Sequence, residues 1–125
     1  MTYSKSSRKP SKSYLRNKAD KLFQDYFKAK YPCCLVCGAP TNCAHHFCTK
    51  ASSNALRYYI PNGIPLCKGC HCLVHCQPHL IEPTICFNLG EDWYKDLIEV
   101  KRQGVKVNRA WYQSHIEELE ILGGK

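Results

Sequence analysis

The sequence predicts a small α+β protein in which a cysteine-rich core is flanked by helices. The main observation is a pair of Cys-x-x-Cys motifs, Cys34–Cys37 and Cys67–Cys70, with 29 residues between them. Two such motifs can direct four thiolates at one tetrahedral zinc ion. The second observation is that apolar side chains repeat at helical spacing before and after this region. A chain of 125 residues is long enough for one domain built around such a site.

The cysteine content narrows the class of protein. Ten cysteines in so short a chain indicate either a disulfide scaffold or metal binding. The N-terminus has no apolar run that could form the core of a signal peptide, and no apolar stretch is long enough to cross a membrane. We therefore expect a cytoplasmic protein with reduced thiols and no membrane interaction, which favours zinc. A secreted disulfide-rich protein is the alternative, and a thiol titration would identify it.

Two elements are expected before the first cysteine motif. Residues 1–12 are predicted to be a disordered basic arm, because their polar composition cannot offset the entropy cost of ordering. Residues 13–31 form a predicted amphipathic helix, with apolar side chains on one face and lysines on the other. We expect Ser13 to cap this helix and Pro32 to end it.

Residues 32–80 are expected to form the core, and residues 81–125 a C-terminal helical extension. Within the core, two short strands are predicted over residues 44–47 and 56–60, joined by a polar loop. A helix should run from Cys70 to about Cys76 and end at Pro78. The extension should contain a helix over residues 91–102 and a final helix capped by Asn108.

Basic charge is concentrated at the start of the chain. Residues 1–30 contain nine Lys and Arg against two Asp, a net of +7, whereas residues 31–125 contain nine against eight. Such a block commonly binds polyphosphate, because each neutralised phosphate releases a condensed counterion. The alternative is a solvated tail that only aids solubility. We expect DNA contacts from eight basic residues: Lys5, Arg8, Lys9, Lys12, Arg16, Lys18, Lys21 and Arg57.

A second group of chemically active side chains lies inside the core: His45, His46, Asn62, His71 and His75. A helix would place His71 and His75 on one face, since they are four residues apart. In a strand, His45 and His46 point to opposite faces, so that one can ligate a metal while the other takes a proton from water. A divalent ion here would stabilise charge on a scissile phosphate. The Asn62 amide could orient the base by a hydrogen bond.

The other six cysteines are predicted to be mostly small buried hydrophobic residues: Cys33, Cys43, Cys48, Cys72, Cys76 and Cys86. Cys33 could replace Cys34 as a ligand only with a less usual spacer, so Cys34 is preferred. An alternative scheme joins some of these cysteines to the histidines in a second, purely structural zinc site. That closed site would leave no coordination position for catalysis.

The residues His45-His46, Asn62 and His71 resemble the His-Asn-His signature of the HNH, or ββα-metal, endonucleases. Asn62 and His71 are nine positions apart, as are the corresponding residues of colicin-type DNases and RNA-guided CRISPR nucleases. The resemblance implies that His46 is the general base. It also implies that His45, His71 and His75 hold a catalytic divalent ion such as Mg²⁺, Mn²⁺, Ni²⁺ or Zn²⁺. We expect a treble-clef-like zinc knuckle, formed by the four cysteines of the two motifs, to frame this site.

Over residues 13–122 the chain is similar to the NinG/Rap recombination nucleases of lambdoid phages and prophages. The shared features are a lysine-bearing helix, the Cys-Cys-Leu-Val-Cys-Gly stretch at residues 33–38, Leu-Arg-Tyr at residues 56–58, Asn62 and the second cysteine motif. The likeness implies a nuclease that processes branched or junction DNA in recombination, inside a bacterial host cell. A homodimer is one possible assembly. The chain departs from the family in having paired histidines where the family has one.

The alternative to a nuclease is a non-catalytic zinc module that binds nucleic acid. The two interpretations differ in their metal sites. A structural module needs only closed, thiolate-rich zinc sites, whereas a nuclease needs an open site that keeps at least one water.

Overall fold

The structure, a computed structural model, describes residues 9–50 and 52–123. Within these ranges the protein is a mixed α+β fold with five α-helices and one two-stranded antiparallel sheet, in agreement with the predicted class. The elements in chain order are α1 (Lys12–Lys30), β1 (Cys43–His46), β2 (Gly63–Leu66), α2 (Lys68–Cys76), α3 (Glu82–Leu89), α4 (Glu91–Arg102) and α5 (Arg109–Leu122). Short 3-10 helices, Ile60–Asn62 and Pro78–Leu80, precede β2 and α3.

Helix α1 begins slightly earlier than predicted. The side chain of Ser11, and not that of Ser13, accepts a hydrogen bond from the backbone N–H of Tyr14 at 3.1 Å and caps the helix. Lys12 therefore belongs to α1 rather than to the arm. Residues 1–8, which make up most of the predicted disordered arm, lie outside the described residues.

The second strand lies seven residues beyond its predicted start. The prediction of a strand over residues 56–60 was wrong, because this segment forms turns closed by local backbone hydrogen bonds. Strand β2 pairs instead with β1, so that Cys43 lies opposite Leu66 and His46 opposite Gly63. Two alternate side chains of residues 56–60, Leu56 and Tyr58, are nevertheless buried in the core. Burial alone therefore does not show which backbone groups pair between strands.

The core has two parts. Helices α1 and α5 pack together and enclose one cluster that also receives Ala44 and Tyr58: Leu15, Ala19, Phe23, Phe27, Tyr112, Ile116 and Leu119. The second cluster joins β2 to α2 and α3: Cys34, Ile64, Leu66, Cys70, Val74, Ile81 and Ile85. The sheet lies between them and touches α1 closely at Gly63, where a Cβ atom would be 2.4 Å from the ring of Phe27.

The described part of the predicted C-terminal extension, residues 81–123, contains helices α3, α4 and α5. Helix α4 has the predicted bounds, and the Asn108 side chain caps α5 by accepting from the N–H of Trp111 at 2.9 Å. Helix α3 was not predicted, because eight residues are too few for a clear helical repeat. In the described part of the chain, no helix combines the length and apolar character needed to cross a membrane.

Candidate metal centres

Four cysteine sulfurs meet between the turn after α1 and the start of α2. The Sγ atoms of Cys34, Cys37, Cys67 and Cys70 all lie within 4.8 Å of one another. The Sγ atoms of Cys37 and Cys67 are 3.5 Å apart. This is the ligand set that the motif spacing predicts, and it could hold a structural metal such as zinc.

Backbone N–H groups are directed at the sulfur of the first cysteine in each motif. The N–H groups of Val36 and Cys37 point at Cys34 Sγ, with N–S distances of 3.4 and 3.5 Å, and that of Cys70 points at Cys67 Sγ at 3.3 Å. Burial raises the pKa of the Cys34 thiol, but backbone hydrogen bonds from Cys37, Cys67 and Val36 outweigh it and bring the pKa to about 7. The turns therefore favour the thiolate, the form that binds zinc, at the first cysteine of each motif.

The pKa of Cys70 moves in the opposite direction. It is raised by burial and then by the neighbouring thiols of Cys67, Cys37 and Cys34. Four thiolates this close repel one another, so all four can ionise together only if a cation compensates their charge. The chemistry of the four sulfurs thus fits Zn²⁺.

Three imidazoles, one from β1 and two from α2, converge at a second point. The ring nitrogens of His45, His71 and His75 lie within 4.8 Å of one another, and the Nε2 atoms of His71 and His75 are 3.0 Å apart. Strand β1 supplies His45, whereas one turn of α2 supplies the other two, as their spacing predicts. Two imidazole nitrogens at this distance need a proton or a cation between them. The arrangement is suited to a metal ion with three histidine ligands.

The electrostatics of this group favour neutral imidazoles at His45 and His71. His45 is only 7 % exposed, and burial followed by repulsion from His71 and His75 lowers its pKa to about 4. The pKa of His71 is also lowered, first by burial and then by His75. Neutral imidazoles carry the free lone pair that metal binding requires. No cysteine belongs to this group in the described ranges, so the alternative Cys/His site gains no support there.

His46 lies next to the three ligands but is held by different contacts. Its ring stacks on Phe23 with centroids 5.0 Å apart and planes 19° from parallel. Its Nε2 atom is 2.9 Å from the carbonyl oxygen of Arg57. Since a carbonyl only accepts, Nε2 carries the proton and Nδ1 keeps a free lone pair. Burial is the main cause that lowers the pKa of His46, which leaves the ring neutral and able to accept a proton.

A cavity of about 260 Å³ opens beside these side chains. His45 and His46 were predicted to point to opposite faces of a strand, but both side chains line this cavity. The full lining is Gln24, Ala44, His45, His46, Thr49, Lys50, His71 and His75. Lys50 is an exposed cation at the edge of the cavity. The space thus joins a potential metal site, a neutral imidazole and a positive charge.

The prediction that the Asn62 amide orients the base by a hydrogen bond was wrong, because its side-chain hydrogen bonds within the described residues all go to backbone groups. The residue is fully buried. Its side chain bonds to the backbone of Cys48 and Leu56 at 2.8–3.2 Å. Asn62 therefore closes the loop that follows β1, and its effect on His46 is indirect. The sequence could not reveal this, because an amide bonds equally well to an imidazole and to backbone groups.

Arg57 was also predicted to contact DNA, which stays a prediction, but its charge is paired inside the protein. Its guanidinium donates to both carboxylate oxygens of Asp20, at 2.7 and 3.0 Å, and its side chain is only 14 % exposed. The Tyr58 hydroxyl donates to the same carboxylate at 2.8 Å. Burial alone would raise the pKa of Asp20, but the bonds from Arg57 and Tyr58 hold it below its usual value.

The remaining predicted DNA contacts lie on α1 or just before it. Those within the described residues are solvent-exposed or half-buried: Lys9, Lys12, Arg16, Lys18 and Lys21. Lys18 lies 3.9 Å from Glu120, and Lys21 forms an ion pair with Asp25 at 2.6 Å on the same helix. Lys5 and Arg8 lie outside the described residues. Contact of these side chains with DNA stays a prediction.

The six cysteines outside the two motifs are not buried, so the prediction that most are small core residues was wrong. Three are exposed (Cys33, Cys72 and Cys76) and three are half-buried (Cys43, Cys48 and Cys86). All ten cysteines lie within the described residues as free thiols.

Comparison of the chain with protein-family models, with curated proteins and with solved structures found no match. The chemistry of the two ligand groups is therefore the basis for inferring a function.

Proposed function

We propose that this chain is a metal-dependent endonuclease of the HNH, or ββα-metal, type that hydrolyses phosphodiester bonds in DNA. The observation that carries the proposal is the convergence of His45, His71 and His75 on one point, beside a neutral His46 that is not one of the ligands. Three protein ligands leave coordination positions for water and a phosphate oxygen, as catalytic metal sites require.

Each histidine has one role in the proposed reaction. His45, His71 and His75 would hold the divalent ion, which when bound would supply Lewis-acid stabilisation of charge on the scissile phosphate and its leaving oxygen. His46 takes the proton of the attacking water at Nδ1, because its Nε2–H is bonded to the Arg57 carbonyl. Lys50 attracts the phosphate to the edge of the cavity.

We further propose a ββα-metal arrangement for the core of the protein. Strand β1, strand β2 and helix α2 follow one another in the order that the ββα-metal type requires. One cysteine motif precedes β1, and the other lies where β2 meets α2. A treble-clef-like zinc knuckle that frames the histidine site is consistent with this order. The sequence features shared with the NinG/Rap nucleases support branched DNA in phage recombination as the substrate. They also support action in the cytoplasm, with a homodimer as one assembly.

The experiment is a cleavage assay with the zinc-loaded protein and linear, nicked, flap and four-way DNA, in Mg²⁺, Mn²⁺, Ni²⁺ or added Zn²⁺. We expect cleavage that His46→Ala reduces by about 10²- to 10⁴-fold, the usual contribution of a general base. Zinc content and DNA affinity should be retained in this variant. The exposed His79 lies outside the site, so His79→Ala is the matched control and should cleave normally.

Thermal unfolding should be recorded beside the assay, because His46→Ala also removes the stack on Phe23. DNA binding without cleavage of any substrate in any of these metals would contradict the proposal. That result would favour the non-catalytic zinc module instead.

A further inference from the structure

We infer that Asp20 of helix α1 is a positioning residue for His46, and that it acts through Arg57. The inference rests on the proposed function, in which His46 is the general base. Helix α1, which lies outside the strands and helix that carry the histidines, thereby sets the orientation of that base.

The geometry forms a continuous chain from Asp20 to His46. The Asp20 carboxylate accepts two bonds from the Arg57 guanidinium, at 2.7 and 3.0 Å. It also accepts a bond from the Tyr58 hydroxyl at 2.8 Å. The carbonyl that bonds to His46 Nε2 at 2.9 Å belongs to the peptide unit between these two residues. One carboxylate thus anchors both neighbours of the peptide group that His46 contacts.

This anchoring matters because the segment around Arg57 is a turn and not a strand. A strand would hold its carbonyls by a ladder of backbone hydrogen bonds, whereas a turn leaves the direction of a peptide group open to rotation. The bidentate pair between Asp20 and Arg57 restricts that rotation, since both side chains are largely buried, at 29 % and 14 % exposure. The Arg57 carbonyl is therefore held towards His46.

The consequence for His46 is a defined tautomer and a defined ring plane. The carbonyl keeps the proton on Nε2, so that Nδ1 is free to act as the base. Phe23, three residues after Asp20 on α1, stacks against the ring. Asp20 and Phe23 together therefore control which nitrogen of His46 is free and where it points.

The test uses the full zinc-loaded chain and the variant Asp20→Asn, assayed under single turnover at saturating DNA. We expect the rate to fall by about 10-fold or more, as for other partners that orient a functional histidine. The DNA concentration for half-maximal rate should stay the same or decrease, because the variant removes a negative charge. Asp20→Glu should restore part of the rate. Asp96→Asn is the matched control, since Asp96 accepts a bond from Tyr59 in the same turn without contacting Arg57, and it should cleave like the wild type.

A second readout does not depend on cleavage. In ¹⁵N-histidine NMR spectra of the metal-loaded protein, His46 should be the Nε2–H tautomer in the wild type and in Asp96→Asn. In Asp20→Asn its signals should shift towards a mixture of tautomers, while those of His79 stay unchanged. This result would support the inference even if no DNA substrate were cleaved and the proposed function failed.

Three outcomes would overturn the inference: a wild-type rate in Asp20→Asn, an unchanged His46 tautomer in that variant, or an equal loss of rate in Asp96→Asn. The last result would show that any weakening of the turn has the same effect.

Discussion

The side chain of Asn62 pairs with both backbone groups of Cys48. Its Oδ1 accepts from the Cys48 N–H at 2.8 Å, and its Nδ2 donates to the Cys48 carbonyl at 3.0 Å. The same Nδ2 donates to the Leu56 carbonyl at 3.2 Å. Asn62 therefore joins the end of β1 to the turn that contains Arg57, which is the turn that holds His46.

We predict that Asn62→Ala destabilises the protein, because backbone groups of the half-buried Cys48 and the buried Leu56 lose their partners. The expected loss is about 1–3 kcal/mol, the cost of leaving buried polar groups unsatisfied. Asn88→Ala is the control: its amide donates to the Thr84 carbonyl on an exposed helix face, and the change should stay within about 0.5 kcal/mol. Urea denaturation of the zinc-loaded proteins measures both values. Equal stabilities would show that the loop does not depend on this amide.

Two glycines offer a test of how closely the sheet packs on α1. A Cβ at Gly63 would lie 2.4 Å from the Phe27 ring, whereas one at Gly69 in α2 would meet no atom within 4 Å. We expect Gly63→Ala to cost about 1–3 kcal/mol through overpacking. Gly69→Ala should instead stabilise the helix by about 0.5–1 kcal/mol. Thermal and urea unfolding would decide this, and a Gly63→Ala protein as stable as the wild type would mean that α1 can move away from β2 at little cost.

Removal of one buried thiolate should test the structural zinc site. Cys34→Ser is expected to lose zinc and to unfold the core, because the free energy of structural zinc binding is coupled to folding. The control is Cys72→Ser, an exposed cysteine on α2, which should keep both its metal and its circular dichroism spectrum. Zinc content by elemental analysis gives the result. A folded Cys34→Ser protein without zinc would contradict the prediction.

The histidine group should bind its ion independently of the cysteine site. We expect His45→Ala to lose binding of added Ni²⁺ or Zn²⁺ by at least about 10-fold in affinity while it keeps the tightly held zinc. Isothermal titration with each ion, with elemental analysis before and after, separates the two sites. His79→Ala should titrate like the wild type. If His45→Ala bound the added ion with wild-type affinity, His71 and His75 would not share a site with His45.

Deletion of residues 1–8 should weaken DNA binding without affecting the described fold. This boundary keeps Ser11, which caps α1, and removes Lys5 and Arg8. If both side chains neutralise phosphates, the slope of log affinity against log salt should become shallower by about 1.8. A salt titration of binding with His46→Ala, which is expected not to cleave, provides the measurement. An unchanged slope would show that the two charges do not contact DNA.

Features that depend on short spacings along the chain were predictable. His71 and His75 share one helix face because they are four residues apart, and the two Cys-x-x-Cys turns each direct their sulfurs at one point. Helix α4 and the Asn108 cap followed from local periodicity and local hydrogen bonding. In each case the atoms that decide the outcome belong to residues within about one helical turn of each other.

By itself the sequence thus determined which side chains could bind metal and where most helices lie. The tertiary structure decided which groups these side chains and strands contact. Asp20 pairs with Arg57 from 37 positions away. Asn62 bonds to backbone groups rather than to His46, and β2 begins at Gly63 instead of Leu56. A strand exists only when another segment pairs with it, and a basic side chain is paired only where a carboxylate folds against it. Both conditions are set by contacts between distant segments, which local sequence patterns do not encode.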